Sequence, residues 1–362
     1  MTKICIIQPL LAAYRLPVFE EMATKVDLSL IVSEPDDSAG YGKLIVPKNS
    51  NIKFKVVRTL RPFGDVFGMY QRSIISYLLE VRPDAVMIFS NPRYLSFWTT
   101  LICCRLLGIR VFPHGHGIFK KAKISIMIRL MYKLIFLLAT RYVCYCDYVL
   151  KCFGQLNVDE SQLAVVENSL VNKSPSPTRY VSPIKNSILF VGRVREGSNL
   201  YLLIEAVTEL RRYLDTDFEL HIVGGGSQFS QLASRVNDVS WITLYGEIYD
   251  QVEIKNIADQ CDIGVYPGDA GLSVVHYMSL GLPSVVHNDY RNHLGPEPTY
   301  IEEGVNGVIF SRDNKETLIN SLIKLYKAPD LLKKMQLASF NSYVSLINPS
   351  QAERFIKVLV AN

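Results

Sequence analysis

The stretch Val265-Tyr-Pro-Gly-Asp-Ala-Gly-Leu-Ser-Val-Val-His276-Tyr-Met-Ser-Leu-Gly-Leu-Pro283 joins an apolar run, a glycine turn and a short helical segment. A strand ending at Tyr266 feeds a turn in which Gly268 and Gly271 let backbone approach a ligand. A helix is expected from Leu272 to Leu280, stopped by Gly281 and Pro283. The first amides of a helix lack an intrahelical acceptor and sit at the positive end of its dipole. Those of Leu272 and Ser273 therefore suit a pyrophosphate, and His276 lies one turn further on toward the same crevice. Two other places carry comparable chemistry. Arg193 stands just beyond an apolar run, next to Gly192 and followed by Arg195. In Pro113-His-Gly-His-Gly117, two histidines and two glycines follow a buried strand, which marks His116 as a site residue. Arg15, early in the first loop, is a candidate for an acceptor phosphate.

Other patterns carry no such chemistry. Asp215-Thr-Asp217 has the spacing of a divalent-cation chelate but precedes a strand, at the amino end of a sheet. Gly224-Gly225-Gly226 lacks the spacing of a dinucleotide fingerprint. Seven cysteines in a chain of 362 residues form no disulfide framework, and Cys144, Cys146 and Cys152 lack zinc-site spacing. No metal site is expected.

These residues must be held by elements that the apolar pattern predicts. Strand-like runs Ile4–Gln8, Leu28–Val32, Ile52–Val57, Ala85–Phe89, Val111–Pro113 and Tyr142–Cys144 alternate with helical segments Leu16–Ala23, Tyr70–Glu80, Leu95–Leu106 and Ile124–Thr140. After a proline- and serine-rich stretch from Lys173 to Pro183, read as a linker, alternation resumes. Strands are expected at Ile188–Val191, Phe218–Val223, Trp241–Leu244, Ile263–Val265, Ser284–His287 and Val308–Phe310, with helices Leu200–Arg212, Phe229–Val236 and Gln251–Ala258 among them. The fold class is α/β: two doubly wound Rossmann-like domains facing across a cleft, with ligands beyond the carboxyl ends of the strands. The expected division is 1–175, 176–345, and a C-terminal helix over 346–362 that crosses back to the first domain.

Composition narrows the partners. Hydrophobic residues make up 49% and charged residues 20%, which excludes disorder and permits sizeable cores. The net charge of +5 is unevenly spread: residues 1–175 hold 22 Lys and Arg against 13 Asp and Glu, whereas the remainder hold 17 against 21. The basic half suits an anionic surface; the acidic half and the absence of an aromatic-rich RNA motif argue against nucleic acid. Gln8 and Pro9 interrupt the first apolar run and Arg15 follows with no small-residue cleavage site, so it reads as a strand and not as a signal peptide. The cysteines, which form no disulfide framework, point to a reducing cytoplasm. Residues 122–142 approach the length of a membrane span, but Arg129 and Lys133 near the middle oppose spanning. Two readings stay open: a basic amphipathic helix lying on an anionic leaflet, or an ordinary domain helix packed on its sheet.

From about Ser187 onward the chain resembles the nucleotide-sugar domain of family-4 glycosyltransferases of the GT-B fold. The blocks, in order, are Leu189-Phe-Val-Gly-Arg193, Leu200-x-x-Leu-Ile-Glu-Ala206, His221-Ile-Val-Gly-Gly-Gly226, Asp262 to Pro283, Gly295-Pro-Glu297, and Glu303-Gly-x-x-Gly-Val-Ile-Phe310. Tyr14-Arg-Leu-Pro17 and the histidine block at 113–117 are similar to those of a bacterial cell-surface polysaccharide branch. The resemblance implies a retaining transfer of a sugar from a nucleotide diphosphate-sugar to a lipid-linked glycan acceptor, for O-antigen or capsule, at the cytoplasmic face of the inner membrane. It also implies no cofactor and no metal. Arg193 would neutralise the leaving diphosphate, Arg195 would add a second charge, and His116 would face the donor sugar. Gly192, Gly224, Gly271, Leu272 and Ser273 would line the donor site, with His276 on the ribose and Glu297 on the nucleotide or beside it. The family commonly places glutamates where this chain has Gly268 and His276, and a lysine where it has Ser198; Asp269 offers a carboxylate beside Gly268. A nucleotide-sugar 2-epimerase of the same fold and a non-catalytic member of a polysaccharide assembly complex are the alternatives.

Overall fold

The computed structural model describes residues 1–34, 50–61, 68–176 and 182–361. The chain divides into two units, Met1–Val171 with Pro349–Asn362, and Asn172–Asn348. In the first, strands β1 (Lys3–Gln8), β2 (Asp27–Ser33), β3 (Lys53–Val57), β6 (Ala85–Phe89), β7 (Arg110–Gly115), β8 (Tyr142–Cys144) and β9 (Leu163–Val165) form one parallel sheet in the order β3-β2-β1-β6-β7-β8-β9. Two short strands, β4 (Thr59–Leu60) and β5 (Tyr70–Gln71), pair antiparallel beside it. Helices α1 (Leu16–Ala23), α2 (Ile74–Val81), α3 (Leu95–Leu107), α4 (Ile126–Leu138) and α5 (Asp147–Phe153) connect the strands. In the second unit, β10 (Ser187–Val191), β11 (Glu219–Val223), β12 (Ile242–Gly246), β13 (Ile263–Val265), β14 (Ser284–His287) and β15 (Gly307–Phe310) form a parallel sheet in the order β12-β11-β10-β13-β14-β15. Its helices are α6 (Leu200–Leu214), α7 (Phe229–Val236), α8 (Gln251–Ala258), α9 (Ser273–Ser279), α10 (Lys315–Tyr326) and α11 (Pro329–Ile347).

Each sheet reverses its winding once, at β1/β6 and at β10/β13, and the strands on either side are buried and mainly apolar because helices cover both faces. Such a reversal leaves a crevice at the carboxyl ends of the two strands. The last helix, α12 (Gln351–Val360), belongs to the first unit: Ala352, Phe355 and Leu359 enter one core with Val18, Phe19 and Met22 of α1. Its start is fixed by a capping box in which the Ser350 hydroxyl accepts from the Glu353 amide and the Glu353 carboxylate accepts from the Ser350 amide. Ser350 also donates to Glu21, and Lys25 pairs with Glu353 at 2.9 Å.

Three expectations change. The helix expected over Tyr70–Glu80 begins at Ile74, because Tyr70 and Gln71 pair with β4 and Ser73 takes a left-handed φ of 64° that breaks the helix. β9, a three-residue strand at the edge of its sheet, was not expected from the sequence. The stretch read as a linker is bound where it is described: Ser176 donates to Asp259 and its amide to the Ser279 carbonyl, while residues 177–181 lie outside the described residues.

Phe355→Ala is expected to lower the stability of the first unit by about 3–5 kcal/mol, read as an earlier urea transition with the second unit's transition unmoved. A unified shift of both transitions would contradict the assignment of α12 to the first unit's core.

Candidate functional site

The loops that leave the carboxyl ends of β10, β11 and β13 are in backbone contact. The Val194 amide donates to the Gly225 carbonyl at 2.8 Å, the Gly192 amide to Val223 at 3.0 Å, and the Asp269 amide to Gly197 at 2.8 Å. Gly224 has a φ of 140°, and a Cβ there would collide with the Gly192 carbonyl. A Cβ on Gly268 would collide with the Gly197 carbonyl and the Ser198 backbone. The glutamate that the family pattern places at this position therefore has no room here.

The position of the family's lysine is rebuilt in the same way. Ser198 is buried; its hydroxyl donates to the Arg195 carbonyl at 2.6 Å and accepts from the Arg195 amide at 3.2 Å. That turn lays the Arg195 guanidinium over Gly197 and beside Tyr266. Nη2 of Arg195 is buried with no hydrogen-bond partner among the described residues. Burial raises the Tyr266 phenol above its ordinary range, and the charges of Arg195 and Arg193 offset part of that rise. Arg193 is exposed, and its charge also reaches Tyr249, whose hydroxyl donates to Glu247 at 3.1 Å. Both guanidinium groups thus stand by the same glycine loops.

The next loop, 266–272, is clamped from the other side by residues the sequence reading left unassigned. His293 accepts from the Ala270 amide at Nδ1 (3.0 Å), so its Nε2 carries the proton and donates to the His287 carbonyl at 3.0 Å. His287 stacks on it with ring centroids 3.8 Å apart and accepts from the Asp289 amide at Nδ1. Its Nε2 faces Asp269 Oδ1 at 3.5 Å, and Arg312 meets the same oxygen at 3.2 Å. Burial pushes both imidazoles down to about 4, with Arg312 adding to the effect on His287 and His287 to that on His293. They are neutral at pH 7, as acceptors from backbone amides must be. Asp269 is thereby turned to Arg312 and His287.

Helix α9 begins at Ser273 with Leu272 as its N-cap, one residue later than expected. Among the described residues the Leu272 and Ser273 amides have no hydrogen-bond acceptor; with seven residues, the helix contributes little dipole. His276 is half-buried, and burial lowers it to about 4. Among the described residues neither of its ring nitrogens is hydrogen-bonded. Glu297 is 2% exposed, with its carboxylate against Gly295 and Oε2 3.8 Å from where a Cβ on Gly271 would lie. Gly192, Arg193, Arg195, Gly224, Asp269, Gly271, Leu272, Ser273, His276 and Glu297 are therefore all placed in the loops and first helical turn beyond β10, β11, β13 and β14.

In the first unit, Tyr145 gathers the remaining candidates. The rings of His114 and His116 each lie 4.4 Å from it, and the Arg15 guanidinium lies 5.4 Å above it. Arg15 is 7% exposed and donates to the Tyr145 hydroxyl (3.3 Å) and to Asn168 (3.2 Å). Burial, with Lys120 and Arg15 assisting, lowers His116 to about 4, so it too is neutral. Nothing in the sequence pattern singles out Tyr145, which is 130 residues from Arg15. Asp217 is almost wholly exposed and pairs with Arg211 at 2.8 Å. Among the described residues no group of three or more His, Cys, Asp and Glu is placed to hold a metal ion, and no disulfide forms.

Residues 185–328 match the family model described as "Glycosyl transferases group 1". That match falls within the second unit, which is similar to the glycosyltransferase domains of that group. No curated protein sequence matches. Among solved structures, Anabaena HepE in complex with UDP is 13% identical with a TM-score of 0.71, over 99% of this chain and 100% of that one. A glycosyltransferase from Rickettsia africae is 14% identical with a TM-score of 0.72, over 100% and 99%. The lipopolysaccharide outer core galactosyltransferase WaaB is 15% identical with a TM-score of 0.64, over 96% and 99%. The fold is the GT-B arrangement of two Rossmann-like domains.

Two outcomes follow from this geometry. Gly268→Glu is expected to weaken nucleotide diphosphate binding and lower the melting temperature, because the new side chain must displace the 197–198 backbone; tighter binding in a thermal-shift titration would contradict the packing. His114, His116, His276, His287 and His293 all have lowered pKa values in the fold. The unfolded chain therefore binds more protons below about pH 6.5, so stability is expected to be flat above about pH 7.5 and to fall between about 6.5 and 4. Urea unfolding at a series of pH values reads this directly.

Proposed function

We propose that the protein moves a hexose or similar sugar from a nucleotide diphosphate-sugar to a lipid-linked oligosaccharide in O-antigen or capsule biosynthesis, with retention of anomeric configuration. The observation that carries the reading is the pairing of Arg193 and Arg195 with glycine-built loops at the winding reversal of the second sheet. As the glycosidic bond breaks, its electron pair stays on the β-phosphate oxygen, and a fixed positive charge there lowers the barrier. Arg193 is assigned to that oxygen and Arg195 to the neighbouring phosphate, in place of the family's lysine. Gly192, Gly224 and Gly271 leave room for the diphosphate, with the Leu272 and Ser273 amides as further donors. His276, neutral and with hydrogen-bonding capacity to spare, is assigned to the ribose, and Glu297 to the nucleotide or its surroundings.

We assign Asp269 to holding its own loop and not to the donor sugar, because Arg312 and His287 already face its carboxylate. Likewise Arg15 positions Tyr145 beneath His116, which remains the residue proposed to meet the sugar. The reading needs neither metal nor resident cofactor, since guanidinium groups and amides meet the growing charge. UDP in the HepE structure and the galactosyltransferase activity in the name of WaaB support a uridine nucleotide and a hexose. The basic first half supports an acceptor carrying pyrophosphate at the cytoplasmic face of an anionic membrane.

Product release with a lipid-linked acceptor and a panel of nucleotide-sugars tests the proposal. UDP-hexose is expected to yield UDP and a glycosylated lipid in EDTA as well as in magnesium. Arg193→Ala is expected to lower kcat/KM by about 10²–10³-fold. Free epimerised nucleotide-sugar formed without acceptor would replace the transferase with an epimerase, and absence of any nucleotide binding would overturn both.

A further inference from the structure

Helix α4 is apolar on two opposite faces, and the fold uses only one of them. Tyr132, Ile135 and Phe136 are buried. Ile126, Met127, Leu130, Leu134 and Leu137 are 70%, 77%, 59%, 45% and 68% exposed. At about 100° per residue these five fall within one sector of about 100°, roughly opposite the buried three. The neighbouring helix α3, which packs against α4, leaves Leu106 81% and Ile102 47% exposed. Packing on the sheet therefore explains only part of this helix's apolar character. A helix apolar nearly all round needs a second apolar environment.

The surrounding charge indicates which one. Arg129 and Lys133 line the edge between the two faces, Lys120, Lys121 and Lys123 precede the helix, and Arg105 and Arg141 flank it. Residues 101–150 contain eight basic side chains and a single acid, Asp147. A second protein surface would have to offer a matching set of carboxylates; an anionic bilayer offers negative charge at the rim and hydrocarbon beneath it in one partner. No described helix is long and apolar enough to cross a membrane.

We propose that the outward face of α4, with the exposed end of α3, lies in the headgroup region of an anionic lipid bilayer. Its leucines and Met127 reach the acyl boundary and the lysines at 120–123 contact the headgroups. The proposal gives residues to the membrane placement above and rests on that part of the reading, but not on nucleotide binding. The two are separated by measuring UDP binding without lipid on the same protein.

The test is co-sedimentation of the full chain with vesicles of phosphatidylcholine alone and of phosphatidylcholine with 30% phosphatidylglycerol. Binding is expected to the anionic vesicles, to weaken as salt rises, and to fall at least about tenfold in the double variant Leu130→Glu, Leu134→Glu. The triple variant Lys120→Glu, Lys121→Glu, Lys123→Glu is expected to lose the preference for anionic vesicles. Circular dichroism and an unchanged UDP thermal shift show that the variants fold. Wild-type protein left in the supernatant, or variants that bind as it does, would overturn the proposal. So would sedimentation velocity showing a lipid-free dimer that the leucine variant dissociates, because a second copy would then cover the face.

Discussion

The constraint on which the second unit depends is the close approach of three loops at the carboxyl edge of its sheet. The chains after β10, β11 and β13 run within hydrogen-bonding distance of each other, backbone to backbone, and this is possible only because Gly224 and Gly268 present no side chain to their neighbours. Everything assigned to the diphosphate follows from that packing. It seats Arg195 over Gly197, turns Ser198 inward and keeps a carboxylate out of position 268. The two positions that depart from the family pattern, Gly268 and Ser198, are in contact in one turn, and the proposal gives Arg195 of that turn the phosphate role.

A second layer holds this arrangement from behind. The stacked His287 and His293 are fixed as neutral imidazoles by the backbone groups they bond, and Arg312 joins the loops after β13, β14 and β15 through Asp269 and Asp289. Their role is to fix the backbone that a ligand would meet. The first unit follows the same logic with different residues: Arg15, itself buried, holds Tyr145, and Tyr145 supports His116. In both units the group proposed to act is held by side chains to which the proposal gives no contact with substrate.

The strands and most helices were legible because parallel strands buried on both faces are continuous apolar runs, and helices carry their own period and stop signals, as Gly281 and Pro283 show. The start of α2 was not, since a left-handed Ser73 gives no sign in composition. Of the site, the glycine loops, Arg193 and the 264–283 string were visible from local spacing. Tyr145, Tyr266, His287, His293 and Arg312 were not, because their importance comes from contacts between loops far apart in sequence. The amphipathic reading of residues 122–142 left two possibilities, and the exposures along α4 show that burial against the fold accounts for one apolar face only.

The account's central claim is that a nucleoside diphosphate is gripped where those three loops meet. Hydrogen–deuterium exchange with and without UDP tests it most directly. Slowed exchange confined to amides in 192–198, 224–226 and 268–275 is the expected result. Protection in other segments alone, or none at saturating UDP, would contradict it.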